Sequence, residues 1–244
     1  YRERSQAYRN LFNPETGYFA PKRINGRFVP QPKGRLDETG CVECNAFQQG
    51  WFVPHDVPGL VELYGGKDKF IALLEEFFEK TPDVAHWNDY YNHANEPVHL
   101  VPFLFNRAGA PWLTQKWVRF ICENAYGADV YGLCGDDDVG QMSSWFVLSA
   151  SGIHQACPGD TRYEFFTPLF DTVDIRIDPV YGEGKIFHIV AHNNGPGPRY
   201  IQSATLNGQP ISRCWLDHKE IVAGGTLELE LGAEPNRAWG LSDN

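Results

Sequence analysis

Apolar positions recur with helical spacing along the first two thirds of the chain and with strand spacing along the last third. Over residues 67–80, Phe70, Leu73, Leu74 and Phe77 fall at i, i+3, i+4 and i+7, the spacing of one buried helix face. Residues 111–125 repeat the pattern with Leu113, Trp117, Phe120 and Ile121. Residues 97–105 predict a shorter helix, with Pro97 tolerated in its first turn, and residues 138–151 a further one ended by Gly152. Residues 1–12 read as the end of a helix, stopped near Asn13-Pro14 because proline disfavours helical backbone in the residue before it. Between residues 19 and 32 the Asn25-Gly26 pair predicts a loop or hairpin. Residues 43–64 hold a helix-compatible piece, interrupted by Pro54 and Pro58 and closed by Gly65-Gly66.

Beyond Pro158 the period falls to two. Val173, Ile175 and Ile177 alternate with Asp174 and Arg176, and Leu227, Leu229 and Leu231 with Glu228 and Glu230. Asn207-Gly208 is a strong two-residue hairpin signal between these runs. The expectation is an α+β chain: helical hairpins over residues 1–160, then a small antiparallel β-module over residues 161–244, half of a sandwich. Helix pairs with short links and longer polar loops between pairs suit a toroid of helical hairpins.

Composition narrows the partners. With 42% hydrophobic and 21% charged residues among 244, the chain is globular rather than disordered. A net charge of −10 without any basic run argues against nucleic acid or an anionic membrane as partner. No apolar run approaches the ~20 residues of a membrane span. The six cysteines are scattered, apart from Cys41-x-x-Cys44. That pair alone suggests a metal or redox motif, but a zinc site needs four ligands in clustered pairs and no second close pair follows. Isolated buried thiols or an occasional disulfide fit the scatter.

The densest chemistry lies in Gly135-Asp136-Asp137-Asp138-Val139-Gly140-Gln141-Met142, where three consecutive carboxylates precede an apolar helix. Adjacent like charges need cations, donors or protons to offset their repulsion. Asp in a helix first turn also caps free N–H groups, and Asp137 is assigned that role. An EF-hand is excluded, since its acids alternate and a later Glu is required. Histidines 55, 93 and 99 match no helical metal motif. His55, before Asp56, suits a structural hydrogen bond. The polar aromatic loop around Trp87, Tyr90 and Tyr91 suits either sugar stacking or a hairpin interface.

These residues also carry a resemblance. Gly135 to Val147, Glu43-Cys44-Asn45-Ala46-Phe47-Gln48, Trp51-Phe52-Val53-Pro54-His55-Asp56, Asn95-Glu96-Pro97 with His99, Cys157-Pro158-Gly159 and residues 200–208 follow in the order of glycoside hydrolase family 92. That family comprises calcium-dependent inverting exo-α-mannosidases. The resemblance implies the later hairpins of an (α/α)6 catalytic barrel, an upstream β-sandwich, and earlier hairpins in the same or a companion polypeptide. The opening Tyr1-Arg2-Glu3, already helical in pattern, agrees with a chain that is the C-terminal part of a longer protein. Secretion, to the periplasm, cell surface or medium, is likewise implied by the resemblance.

The resemblance gives each residue a role. Glu43 matches the general acid, although Cys44 and Phe47 replace the Gly and Trp usual beside it. Asp138 matches the base that deprotonates water, assisted by Asp136, and such crowded carboxylates would titrate as a unit. Asn95 and Glu96 match calcium ligands, oxygens suited to a hard cation that chelates two mannose hydroxyls. Without the resemblance, the same pair reads as a helix N-terminus. His99, Gln48 and Trp87 are candidates for contact with the sugar, Gln48 serving equally as a core hydrogen-bonding residue. The expected substrates are terminal α-mannosides of glycans. Two alternatives remain open: a mannose-phosphate-cleaving branch of the family, which has Gln at the acid position, and a carbohydrate-binding protein that keeps the scaffold without turnover.

Overall fold

The computed structural model describes residues 1–30, 40–182 and 185–241. The chain begins with helix α1 (Arg2–Ser5), a 3-10 turn (Ala7–Leu11), and a short hairpin of β1 (Phe12–Asn13) and β2 (Tyr18–Phe19). Helices α2 (Ala46–Gln49), α3 (Val57–Leu63) and α4 (Lys67–Glu79) follow. Two 3-10 turns, Glu96–Val98 and Val101–Phe103, lead into α5 (Leu104–Ala108) and α6 (Pro111–Asn124). A fourth 3-10 turn, Asp138–Gly140, leads into α7 (Gln141–Ala150). The remainder is β3 (Ile153–His154), β4 (Arg162–Phe165), β5 (Thr172–Arg176), α8 (Pro179–Gly182), β6 (Ile186–His192), β7 (Tyr200–Leu206), β8 (Gln209–Ile211), β9 (Trp215–Asp217), α9 (His218–Val222) and β10 (Gly225–Gly232).

Local chemistry sets most boundaries. Asp56 accepts the Gly59 N–H at 3.0 Å and starts α3 with Pro58 in its first turn. Asn45 and Gln48 form a reciprocal capping box on α2. The α4 stripe is Phe70, Leu74, Phe77 and Phe78, with Leu73 only half-buried. Residues 97–105, expected as one helix, form two 3-10 turns and the start of α5. Pro102, in the interior of that segment, lacks the N–H donor that an α-helical ladder needs there and so interrupts it. Residues 25 and 26 turn the chain as expected, with Lys22 bridging Phe28; the rest of that expected segment, 31–32, lies outside the described residues.

An aromatic-rich core joins α2 to α7. Trp51 stacks on Tyr64 at 4.8 Å and Phe78 on Trp117 at 5.0 Å. Helix α6 is buried nearly all round, because its second face meets the β-rich part. Gln115 accepts the Ile201 N–H of β7 at 2.9 Å, and Arg119 donates to Asn194 and to the Gly195 carbonyl. Phe120, expected on the inner face, is 43% exposed.

The five-stranded sheet runs β5-β6-β10-β7-β8, and β3-β4-β9 forms a smaller one. An all-antiparallel module was expected, but β10 pairs parallel to β6 and antiparallel to β7. Alternation marks a strand with one buried face and is blind to the direction of its neighbour. Asn207 and Gly208, with φ of 52° and 74°, turn β7 into β8 as their left-handed preference predicts. Leu227, Leu229 and Leu231 are buried with Ile153, Phe165, Leu216, Ile221 and Trp239, so the apolar face of the sheet is covered within this chain. The change from helix to strand falls at Ile153, since β3 pairs with β4.

Candidate active site

A cavity of about 590 Å³ opens where three loops meet. The turn Glu96–Val98 contributes Glu96; the turn Asp138–Gly140 contributes Asp138; Gln141, Ser144 and Trp145 come from α7, His154 from β3, and Phe52 from the segment after α2. Two of the expected site carboxylates, far apart in sequence, thus line one cavity. A second cavity, of about 490 Å³ beside β2 and α2, has Glu15 as the only carboxylate among the described residues that line it.

The three aspartates divide their work. Asp137 accepts the Ser143 amide at 3.0 Å and the Ser143 hydroxyl at 2.6 Å, capping the first turn of α7. Those two hydrogen bonds, the hydroxyl's first, hold its carboxyl below the usual range. Asp136 and Asp138 are both exposed, and of the two only Asp138 lines the cavity. Val139 takes φ 54° and is fully exposed, an uncommon backbone for a β-branched residue. Strain of this kind concentrates at functional sites, at a cost of about 1–3 kcal/mol. Gly140, also left-handed, would set a Cβ in open space, so it serves the turn rather than a close approach. Gly135 is the close approach: a Cβ there would lie 2.5 Å from the Ala94 carbonyl oxygen. Its bare backbone lets the carboxylate loop lie against the residue preceding Asn95.

Glu43 is exposed and takes φ 56°, a second left-handed non-glycine residue. The Asn95 side-chain amide donates to the Glu43 carbonyl at 2.9 Å, fastening the Glu43 backbone to the Asn95-Glu96 segment. One carboxylate oxygen of Glu96, Oε1, is buried without a hydrogen-bond partner. A buried carboxylate oxygen left unpaired is costly unless a cation or donor meets it. Among the described residues, no three His, Cys, Asp or Glu side chains gather into a metal site.

Behind the cavity lies a cluster of buried imidazoles. His99 Nε2 faces the His93 carbonyl at 3.0 Å and must therefore donate to it, leaving Nδ1 to accept from Gln141 Nε2 at 3.2 Å. The Tyr126 hydroxyl donates to the Met142 carbonyl, so His93 Nε2 donates to Tyr126, and His93 Nδ1 accepts from Tyr91. Trp145 Nε1 donates to the His99 carbonyl at 2.9 Å. Burial pushes the pKa of His99 and of His154 down to about 4, and that of His93 well below its ordinary value.

Of the expected sugar contacts, His99 lines the cavity with both ring nitrogens already partnered inside the protein. Gln48 is not brought there: its amide nitrogen donates to the Asn88 and Tyr90 carbonyls, and its oxygen accepts the Asn45 N–H. Trp87 is 52% exposed on its loop and is absent from the cavity lining. His55 makes its structural contact with the Ser5 carbonyl at 2.9 Å. Sequence reasoning passed over Phe52, Gln141 and His154. Gln141 and Phe52 stood inside the quoted motifs, whereas His154, on a two-residue strand, had no local signal.

These features belong to a glycosidase family. Residues 1–233 match the glycosyl hydrolase family 92 catalytic domain, and the chain belongs to that family. An uncharacterized secreted glycosidase of Arthroderma benhamiae is 31% identical over 272 residues, taking in all of this chain and 33% of that protein. The family GH92 alpha-mannosidase BT3965 from Bacteroides thetaiotaomicron superposes with a TM-score of 0.87 at 30% identity, over 98% of this chain and 31% of that one. That enzyme is also known in complex with mannoimidazole. The family GH92 inverting mannosidase BT2199 of the same organism gives 0.81 at 34% identity, over 96% of this chain and 34% of that one. The chain therefore spans about a third of the length of these relatives.

Proposed function

We propose that this chain supplies the catalytic groups of an exo-acting α-mannosidase that releases terminal α-mannose from glycans with inversion. The observation that carries the reading is the meeting of Glu96 and Asp138 on one cavity, with Glu43 fastened to its edge through Asn95. Inverting hydrolysis needs one carboxylic acid for the leaving oxygen and one carboxylate for water on the opposite face of the sugar. Asp138, on the cavity wall, takes a proton from water as the water oxygen bonds to the anomeric carbon. The glycosidic bond breaks, and the Glu43 carboxyl gives its proton to the departing oxygen. Asp136, outside the lining, acts on Asp138 through charge. The Glu at position 43 favours this reaction over cleavage of a mannose phosphodiester, whose leaving group is already a stable anion. The relatives that are mannosidases, one of them known with mannoimidazole, support mannose as the sugar. A relative described as secreted supports a place outside the cell, and among the described residues no helix is long and apolar enough to cross a membrane.

Calcium fits the residues present. The unpartnered Oε1 of Glu96 and the amide of Asn95 are hard oxygen donors, and calcium takes carboxylate, amide carbonyl and water oxygens together. When bound, the ion would supply positive charge and coordination for vicinal mannose hydroxyls, favouring a distorted ring. Exhaustive chelation is expected to abolish turnover of an aryl α-mannoside and calcium to restore it. Calcium is also expected to raise the melting temperature of the chain, and Glu96→Gln to remove that shift. Full turnover without metal, or an unshifted melt, would refute the assignment. Asp138→Asn is expected to disable every substrate, while Glu43→Gln spares those with acidic leaving groups. Equal losses on both substrate classes would remove Glu43 from the acid role.

A further inference from the structure

Glu43 is bracketed by two thiols. Cys41 and Cys44 stand one on each side of the left-handed Glu43 turn, and their side chains are in hydrogen-bond contact. Cys44 is 4% exposed, and its sulfur also donates to Gln49 Oε1 at 3.2 Å. Cys41 is only half-buried and lines a cavity of about 420 Å³ with Lys22, Gln49 and Phe52. Phe52 lines the catalytic cavity as well, so the two spaces share a wall. The arrangement is an outer thiol facing a space large enough for a small molecule, with an inner thiol touching it from behind.

We propose that Cys41 and Cys44 are a thiol–disulfide pair, oxidised by a small-molecule disulfide of the glutathione type, whose bridged form re-sets the turn that carries Glu43. The outer Cys41 thiolate attacks one sulfur of the small disulfide; a Cys41 mixed disulfide forms and one small thiolate leaves, taking a proton from water. Cys44 then loses its proton to solvent, and its sulfur attacks the Cys41 sulfur and expels the second small thiolate. Two protein thiols lose two electrons and two protons in all, and one small disulfide becomes two thiols. Burial, with the Cys41 side chain adding to it, raises the Cys44 thiol to about 11, which keeps Cys44 from acting first and makes the closing step the slow one. A bridge between residues three apart closes too short a loop to stabilise the fold much. Its effect falls on the local backbone, where the Glu43 carbonyl is held by Asn95 and the next residues cap α2.

The test treats the chain with oxidised glutathione, quenches with an alkylating agent and maps the cysteine peptides. A Cys41–Cys44 bridge, with Cys122 and Cys214 alkylated only after unfolding, is the expected result. Cys44→Ser should instead trap a mixed disulfide on Cys41, and Cys41→Ser should stay unmodified at Cys44. Both thiols remaining alkylatable, or a stable mixed disulfide in the unchanged chain, would overturn the proposal. Bridging is expected to slow a substrate with a poor leaving group roughly ten-fold more than one with an acidic leaving group, because only the former needs the acid. An unchanged ratio would overturn the coupling to Glu43. A chain that bridges but hydrolyses no mannoside in either form would refute the glycosidase reading and leave the thiol pair standing.

Discussion

At the scale of single residues, Gly135 governs how the carboxylate loop meets the Asn95-Glu96 segment. A methyl group there would sit 2.5 Å from the Ala94 carbonyl oxygen, a backbone atom that cannot swing aside. Gly135→Ala is therefore expected to separate Asp138 from Glu96. Turnover and calcium affinity should both fall, by roughly ten-fold or more, since positioning errors near 1 Å cost on the order of a hundred-fold in rate. The fold should survive, because the loop lies at the edge of the helical core. Steady-state kinetics and a calcium titration of the variant check it, and wild-type values in both would refute the close-approach argument. Val139 is a contrasting case: strained and solvent-facing, it should accept Gly with a gain in stability.

At the scale of elements, one buried carboxylate ties α5 to the strands. Glu164 of β4 is fully buried and receives Arg107 of α5, Arg162 from its own strand at 3.0 Å, and the Asn106 amide at 3.2 Å. The Asn106 amide also lies within reach of the Phe165 and Cys214 carbonyls, so a single cluster ties α5 to β4 and to the chain entering β9. Removing one partner of a buried ion pair leaves the rest uncompensated, at about 3–5 kcal/mol. Glu164→Ala is expected to lower the unfolding free energy by that amount in urea denaturation. A loss below ~1 kcal/mol, the range of surface pairs, would mean that the cluster is solvated.

At the scale of the whole molecule, three buried histidines make stability depend on pH in a defined window. His99 and His154 titrate near 4 in the folded chain, and His93 lies well below its ordinary value, all through burial. Unfolded histidine titrates near 6.5, so the unfolded chain binds protons first as pH falls. The stabilisation is therefore full above about 6.5 and is lost progressively as pH drops toward 4, by about 3 kcal/mol each for His99 and His154 once complete. Urea denaturation between pH 7 and pH 4, followed by tryptophan fluorescence, to which Trp145 beside the His93 ring contributes, reads this. Constant stability across that window would show that these imidazoles are not held neutral.

The sequence by itself determined the local devices and the family. Helix α4, the turn at Asn207-Gly208, the Asp137 cap and each short motif of the family were legible because each depends on neighbours a few residues away. Strand positions in β10 were legible for the same reason, since Leu227, Leu229 and Leu231 repeat at period two. The parallel pairing of β10 with β6 was not, because direction depends on which strand lies alongside. The site divides in the same way. The resemblance carried by residues 43, 95, 96, 136 and 138 implied acid, ligand and base, but only the tertiary structure put Glu96 and Asp138 in the lining of one cavity. It left Asp136 outside the lining, engaged Gln48 in the α2 cap, and brought in His154 from a strand. A side chain's chemistry is written in the sequence, whereas its partners are chosen by packing between segments tens of residues apart, where no local period reports them.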